Sequence, residues 1–312
     1  MKVYFSLEDF RKLDFAVVTT GTFDGVHIGH KKILEQLNHV AHTHNGESVL
    51  LTFSPHPRIV LQPDSELKLL STDKEKIELL KGTGLDHLII HPFTKEFSRT
   101  RSLDFVRNIL VNTIGARRLV IGYDHHFGRN REGSFDHLKE FGPTYGFEVE
   151  EISAKDIEDV TVSSTKIRQS LNNGDLSTAN TYLDYDYPLT GQVVEGEKIG
   201  QTIGFPTANL MTEETYKLIP KDGVYAVEVL FPSDPDQKFQ AMCNIGTRPT
   251  FSGKFKTIEV HIFNFNRNIY GEQLRVMFKK RLRGETKFEN AEELKTQLNK
   301  DMEHARQILS SR

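Results

Sequence analysis

The sequence predicts an α/β fold, a parallel sheet covered by helices on both faces, followed by a small antiparallel β-barrel with a C-terminal helix. Through the first half, short apolar runs rich in β-branched residues alternate with amphipathic helical segments. After about residue 185, strand-like segments follow one another directly, with Pro, Gly and Asn between them. The 312 residues exceed the usual size of one domain. We therefore expect two domains, residues 1–183 and 184–312.

The elements can be justified in order. "FAVVTT" (15–20), "SVLLTF" (48–53), "HLIIHP" (87–92) and "RRLVIGY" (117–123) suit buried strands. "IGHKKILEQLNHVAHTH" (28–44), "STDKEKIELLKGTG" (71–84) and "SLDFVRNILVNTIG" (102–115) have helical spacing. In the second of these, Thr72 and Glu75 have capping-box spacing and Gly82 can end the helix. Such alternation is the pattern of a Rossmann-like sheet, which binds ligands at the carboxyl ends of its strands. "LDYDYPLTG" (183–191) reads as a linker. "GVYAVEVLF", "FQAMCNIG", "KTIEVHIFNF" and "QLRVMFKKRL" then read as barrel strands, and the tail from Asn290 as a helix packed on the barrel.

Composition narrows the function classes. Hydrophobic residues make up 37% and charged residues 27%, and the formal charge is -3 with no long run of one sign. A nucleic-acid or membrane-surface protein would need a net basic face, so neither partner is expected. The one cysteine, Cys243, leaves no intramolecular disulfide and no cysteine-built metal cluster. No apolar run approaches membrane-spanning length, and the first residues lack the apolar stretch of a signal peptide. The expectation is a soluble cytoplasmic protein acting on small molecules.

"TFDGVHIGH" (22–30) falls where the first long strand ends and the first helix begins. A helix start there offers unpaired N–H groups and a positive dipole end to an anion. Gly21, Gly25 and Gly29 would let backbone approach phosphates closely, and His27 and His30 could donate to phosphate oxygens. A plain turn would explain the glycines but neither histidine. Zinc on the His-x-x-His pair lacks a cysteine or carboxylate at the usual spacing, so no zinc and no structural metal are expected. "VSSTKIRQSL" (162–171) starts a helix that Ser163 or Ser164 can cap and Gly174 can end. Ser164, Thr165 and Arg168 could face one polyphosphate, or the segment could be an ordinary capped helix. "TFSPHPR" (52–58) and "GYDHHFGRNREG" (122–133) also leave strands at the predicted ligand edge.

Together these stretches resemble the FMN adenylyltransferase domain of the bacterial bifunctional riboflavin kinase/FAD synthetases, which carries G-x-F-D-G-x-H-x-G-H, F-x-P-H-P, G-x-D-x-x-F-G and S-S-T-x-I-R in this order. The resemblance implies a nucleotidyltransferase in which His27, His30 and Arg168 act on the ATP phosphates. It implies nucleotide contacts at Gly21, Phe23, Asp24, Gly29, Ser164 and Thr165. Phe53, Asp124, Phe127 and Arg129 would help house the flavin. The chain departs from that pattern at Thr22, where Asn is usual, and at His126, where Arg is common.

In the second half, "GQVVEGEKIGQTIGFPTANL" (191–210) has Gly196, Gly200 and Gly204 at four-residue spacing. Glycine spacing alone also fits hairpin turns. Thr207 and Asn209 alternate along an extended segment, so their oxygens point to one side and could hold Mg²⁺ beside phosphates. Glu259 sits among apolar neighbours in a strand and, by pattern alone, could be an ion-paired surface carboxylate. As a string, G-F-P-T-A-N-L, "GVY", "IEVHIFNF" and "YGEQLRV" resemble the riboflavin kinase domain of the same family. That implies a flavokinase barrel with Gly196, Gly200, Gly204, Thr207 and Asn209 around Mg-ATP and Glu259 as base. Gln201 and Glu195 stand where basic residues are common.

The expected activity is thus ATP-dependent phosphorylation of riboflavin to FMN, then adenylylation of FMN to FAD, with Mg²⁺ as cofactor. Two other readings remain open from sequence: a nucleotidyltransferase on a non-flavin phosphate with a regulatory barrel, and a flavin sensor without catalysis.

Overall fold

Burial along the strands dictates the layers. The computed structural model describes residues 1–122, 126–152, 162–196, 199–250 and 253–310. The chain divides into two units, Met1–Ser164 and Thr165–Arg312.

The first unit is built on β1 (Lys2–Tyr4), β2 (Ala16–Thr20), β3 (Glu47–Ser54), β4 (His87–Pro92), β5 (Ala116–Gly122) and β6 (Glu148–Ile152). They form one sheet in the order β1-β4-β3-β2-β5-β6, and every pairing is parallel. β2 is buried at all five positions, as a central strand covered on both faces must be. Its side chains alternate between two cores. Val18 and Leu51 join Phe105, Leu110 and Leu138 on one face, while Val17 and Leu50 join Leu34, Leu37 and Leu80 on the other.

Helices α1 (Ile28–Thr43) and α3 (Asp73–Lys81) supply the second face, with a short α2 (Pro57–Leu61) between them. α3 carries the capping box its sequence predicts. Glu75 N–H donates to Thr72 Oγ1 at 3.2 Å, and Thr72 N–H donates to Glu75 Oε2 at 2.9 Å. Gly82 caps its other end. β1 and β6 are edge strands that the apolar pattern does not announce; "EVEEI" has too few inward apolar residues to stand out. From β2 the chain runs outward through β3 and β4 on one side, and β5 and β6 lie on the other. The switch point is therefore between β2 and β5, and the segments after both strands are the ones sequence singles out.

The second unit contains a closed antiparallel barrel in the order β10-β11-β8-β7-β12-β9, from β7 (Tyr187–Val194), β8 (Ala208–Met211), β9 (Gly223–Phe231), β10 (Asp234–Thr250), β11 (Gly253–Ile262) and β12 (Gln273–Arg283). The structure corrects the linker expected over 183–191. Tyr187, Leu189, Gly191 and Val193 alternate inward, so the segment is a barrel strand, and its Pro188 and Gly191 disguise it. The C-terminal helix Ala291–Ser310 packs on the barrel as expected, through Ala305 and Leu309 against Phe205, Ala226, Met242 and Phe263. The buried Asp301 carboxylate fixes that helix by accepting from Arg283 Nε at 3.0 Å and Nη2 at 2.7 Å.

Two helices, Ser164–Asn173 and Leu176–Leu183, precede the barrel, separated by Gly174 at φ +79. Their Ile167, Leu171, Leu176 and Leu183 are buried. Lys221 N–H donates to Leu171 O at 3.1 Å, and Asn180 Nδ2 donates to Phe278 O at 2.8 Å. A fragment beginning at residue 165 should therefore be more stable than one beginning at residue 184 by more than about 3 kcal/mol, the scale of two buried aliphatic side chains. Urea unfolding of the two fragments measures this, and equal midpoints would show that these helices add nothing to the barrel.

Candidate active sites

The first site is a turn under strain. Phe23 (φ +46), Gly25 (φ +81) and Val26 (φ +37) all lie in the left-handed region, two of them without glycine's freedom. The Asp24 carboxylate holds the turn. It is 1% exposed and accepts from Leu70 N–H at 2.9 Å, Ser71 N–H at 3.0 Å and Ser71 Oγ at 3.3 Å. Ser71 Oγ in turn accepts from Gly25 N–H at 3.0 Å. These bonds give Asp24 a structural task at the motif's centre.

His27 is the N-cap of α1; its Nδ1 accepts from His30 N–H at 3.4 Å. In the neutral ring this places the proton on Nε2, as a donor. The rings form a ladder: His27 and His30 stack at 3.7 Å between centroids, and His30 and Phe23 at 4.5 Å. Burial, then the neighbouring His27 and Lys76, holds His30 well below the usual histidine range, so it is a neutral donor near pH 7. Its Nδ1 is buried with no hydrogen-bond partner. Gly21 and Gly29 leave room for the motif's own rings, since a Cβ there would meet Phe23 at 3.1 Å and His27 at 3.3 Å respectively.

Ser164 begins its helix and its hydroxyl donates to Asp24 O at 3.0 Å, which joins the S-S-T stretch to the turn. Thr165 and Arg168 lie in the second unit. Phe53 contacts the Phe93 and Phe97 rings at 5.6 and 5.5 Å. Phe127 is part of the buried core, 5.8 Å from Phe105, and pairs with Gly133. Arg129 is exposed, and its N–H donates to Thr100 O at 2.8 Å. Asp124 lies outside the described residues.

The second site is a cavity of about 320 Å³ in the barrel unit, lined by Gly200, Thr207, Asn244, Glu259 and His261, and on the helix side by Arg283, Leu294 and Leu298. Antiparallel pairing sets its floor: Glu259 stands opposite Asn209 on β8 and opposite Asn244 on β10. Gly196 fits directly over the Asn209 side chain, where a Cβ would sit 2.0 Å from its amide nitrogen. Gly200 allows the Phe205 carbonyl within 2.3 Å of the same virtual atom, and Gly204 turns the chain at φ +89. A second cavity of about 290 Å³ is lined by Gln201, Pro206, Phe265, Asn268 and Tyr270, and Thr207 lines this one as well.

Sequence reading passes over His261, two residues beyond Glu259 and hence on the same face of β11. Its Nδ1–H donates to Pro206 O at 2.8 Å, leaving Nε2 as an acceptor, and burial lowers its pKa. Period-two spacing from Glu259 was the available signal. Arg283 was hidden because only tertiary structure brings Asp301 to it. Cys243, behind Glu259, is buried, and burial raises its thiol pKa, so it stays protonated.

Among the described residues, no cluster of three or more His, Cys, Asp or Glu is placed to hold a metal ion. Mg²⁺ bound with phosphates needs few protein ligands, and hard oxygens at Thr207 and Asn209 fit that requirement. No helix among the described residues is long and apolar enough to cross a membrane.

Comparisons with known proteins agree with this layout. Residues 10–166 match the FAD synthetase family model and residues 183–309 the riboflavin kinase family model. Proteins named bifunctional riboflavin kinase/FMN adenylyltransferase are similar over nearly their full length. The one from Buchnera aphidicola subsp. Schizaphis graminum is 35% identical, covering 97% of both chains. That from Haemophilus influenzae is 36% identical, covering 96% of both. A crystal structure described as a macrolide-efflux protein from Streptococcus pneumoniae superposes with a TM-score of 0.88 at 32% identity over 98% of each chain. With both family models matched in order and near-complete coverage of these relatives, the chain belongs to the bifunctional riboflavin kinase/FMN adenylyltransferase family.

Proposed function

We propose that the barrel unit transfers the γ-phosphate of ATP to riboflavin, and that the sheet unit joins the resulting FMN to AMP from a second ATP. The observation that carries the reading is Thr207, which lines two adjoining cavities, one of them holding the Glu259 carboxylate. A nucleotide in the 290 Å³ cavity and a flavin in the 320 Å³ cavity would meet at that residue. The apolar Leu294 and Leu298 suit an aromatic ring system, and Phe265 and Tyr270 suit a base.

In the kinase step, Glu259 takes the proton from the terminal ribityl hydroxyl. That oxygen attacks the γ-phosphorus, the bond to the β-phosphate oxygen breaks, and ADP leaves. The chain's contribution is orientation: the missing side chain at Gly196 leaves room for the Asn209 amide, and the β8–β11 register puts it beside the base. Mg²⁺ held by Thr207, Asn209 and the phosphates would neutralise charge on the transferring group. In the adenylylation step the nucleophile is the FMN phosphate, already anionic, so no base is needed. His27 and His30, the latter neutral, donate there to the phosphate oxygens, with Ser164 as a further contact. Since both steps consume ATP, we place the protein in the cytoplasm.

Purified protein given riboflavin, ATP and Mg²⁺ should yield FMN and then FAD, resolved by chromatography; neither product would end this reading. Glu259→Gln keeps the size and one acceptor oxygen but cannot take the proton, and should slow FMN formation ~10²–10⁴-fold while adenylylation of supplied FMN persists. Gly196→Ala must displace the Asn209 amide and should slow the kinase at least ~10-fold with the unfolding midpoint little changed. In the other unit, His27→Ala and His30→Ala should each lower FAD formation by ~10²-fold or more and spare the kinase. Because the His30 pKa is depressed, His30 is uncharged above its ordinary value and gains a proton only at lower pH. The pH–rate profile of FAD formation should then show no inflection from His30 near 6.5; an inflection there that disappears in His30→Ala would contradict the neutral-donor role.

A further inference from the structure

Lys76 is a buried cation that neither motif contains. It is the fourth residue of α3 and only 5% exposed. Its Nζ is ion-paired with Asp73 Oδ1 at 3.7 Å, within one turn of the helix. The other oxygen of Asp73 accepts from Ser54 Oγ at 2.5 Å, which ties the carboxylate to the carboxyl end of β3. Asp24 is the next nearest compensating charge, and its oxygens are occupied by the Leu70 and Ser71 donors. Burying an ammonium is costly even beside a paired carboxylate. Here burial outweighs the attraction of both carboxylates and lowers the Lys76 pKa. His30 is close enough to feel that charge, and its buried Nδ1 likewise lacks a partner. A buried ammonium paired with Asp73 and a buried ring nitrogen without a partner therefore lie beside the strained turn.

We propose that Lys76 is a phosphate ligand of the adenylylating site, supplying a positive charge that the neutral His30 does not. The inference rests on the adenylyltransferase reading above. In that reaction an FMN phosphate oxygen attacks the α-phosphorus of ATP, the bond from the α-phosphorus to the bridging oxygen breaks, and its electron pair stays on pyrophosphate. Charge thus grows on the leaving group, where the uncharged His30 imidazole offers a hydrogen bond but little Coulomb energy. An ammonium in a poorly hydrated position interacts with such an anion far more strongly than one in water. The two anchors explain its placement. Asp24 draws residues 70 and 71, and with them the start of α3, against the histidine turn, while Asp73 and Ser54 hold α3 to the end of β3.

The test uses the full chain and two probes, ATP with FMN for turnover and inorganic pyrophosphate for binding. Lys76→Gln should lower kcat/KM for ATP in FAD formation by ~10²-fold or more, with Lys76→Arg recovering part of the loss and riboflavin phosphorylation unchanged. Calorimetry should show pyrophosphate affinity reduced at least ~10-fold in Lys76→Gln. The His30 ring, followed by NMR, should titrate at higher pH than in the parent protein once the nearby charge is gone. Lys76→Met, which leaves no polar group buried, gives the same readouts should Lys76→Gln fail to fold. Pyrophosphate affinity and His30 titration that match the parent protein would overturn the proposal and leave Lys76 a structural ion-pair partner of Asp73. A parent protein that binds pyrophosphate through Lys76 yet makes no FAD would instead refute the adenylyltransferase reading alone.

Discussion

The first site depends on the buried carboxylate of Asp24. A carboxylate inside a protein is tolerated only when its lone pairs are occupied by donors. Here two backbone N–H groups and a hydroxyl from residues 70 and 71 occupy them. Those bonds also compensate the three left-handed residues that would otherwise let the turn relax. Once the turn is held, His27 caps α1, His30 stacks on it, and the donors at the switch point of the sheet have fixed directions. The chemistry that follows is electrostatic preorganisation: groups oriented before the ligand arrives lose little on binding it.

The barrel achieves the same end by register. Closure of six strands fixes which residues stand opposite one another, and a slip of one position would turn Glu259 and Asn209 to the other face. Around that pair the chain comes too close for a side chain, so glycine is required at positions 196 and 200. The C-terminal helix adds the opposite wall, held by an Arg283–Asp301 pair whose buried carboxylate makes removing either partner costly.

The two sites use charge differently because their nucleophiles differ. A hydroxyl must lose a proton, and the half-buried Glu259 carboxylate that lines the barrel cavity is the group proposed to take it. A phosphate is already an anion, so on the proposed reading the sheet unit needs donors rather than a base. This difference explains why Glu259 and His30 stand in opposite electrostatic settings. Burial keeps the histidine neutral, and the glutamate stands in register with Asn209 and Asn244 on the neighbouring strands.

Much of this was legible in the residues. Alternation of period two and period 3.6 gave the parallel sheet, the capping box gave α3, and "TFDGVHIGH" and "GFPTANL" are the stretches that lie at the switch point of the sheet and beside the barrel cavities. These signals are local, and local propensity and sequence order carry them. Strand β7 was read as a linker because its Pro and Gly weaken the local signal, and only closure of the barrel makes it a strand. Lys76, His261 and Arg283 stayed hidden for a related reason. What matters about each is a neighbour far along the chain, Ser54 through Asp73, Pro206 and Asp301 respectively. The sequence by itself determined the order of elements and the types of reactive residue. The tertiary structure decided which of those residues are desolvated and which face a cavity, because burial depends on contacts that no short stretch of chain contains.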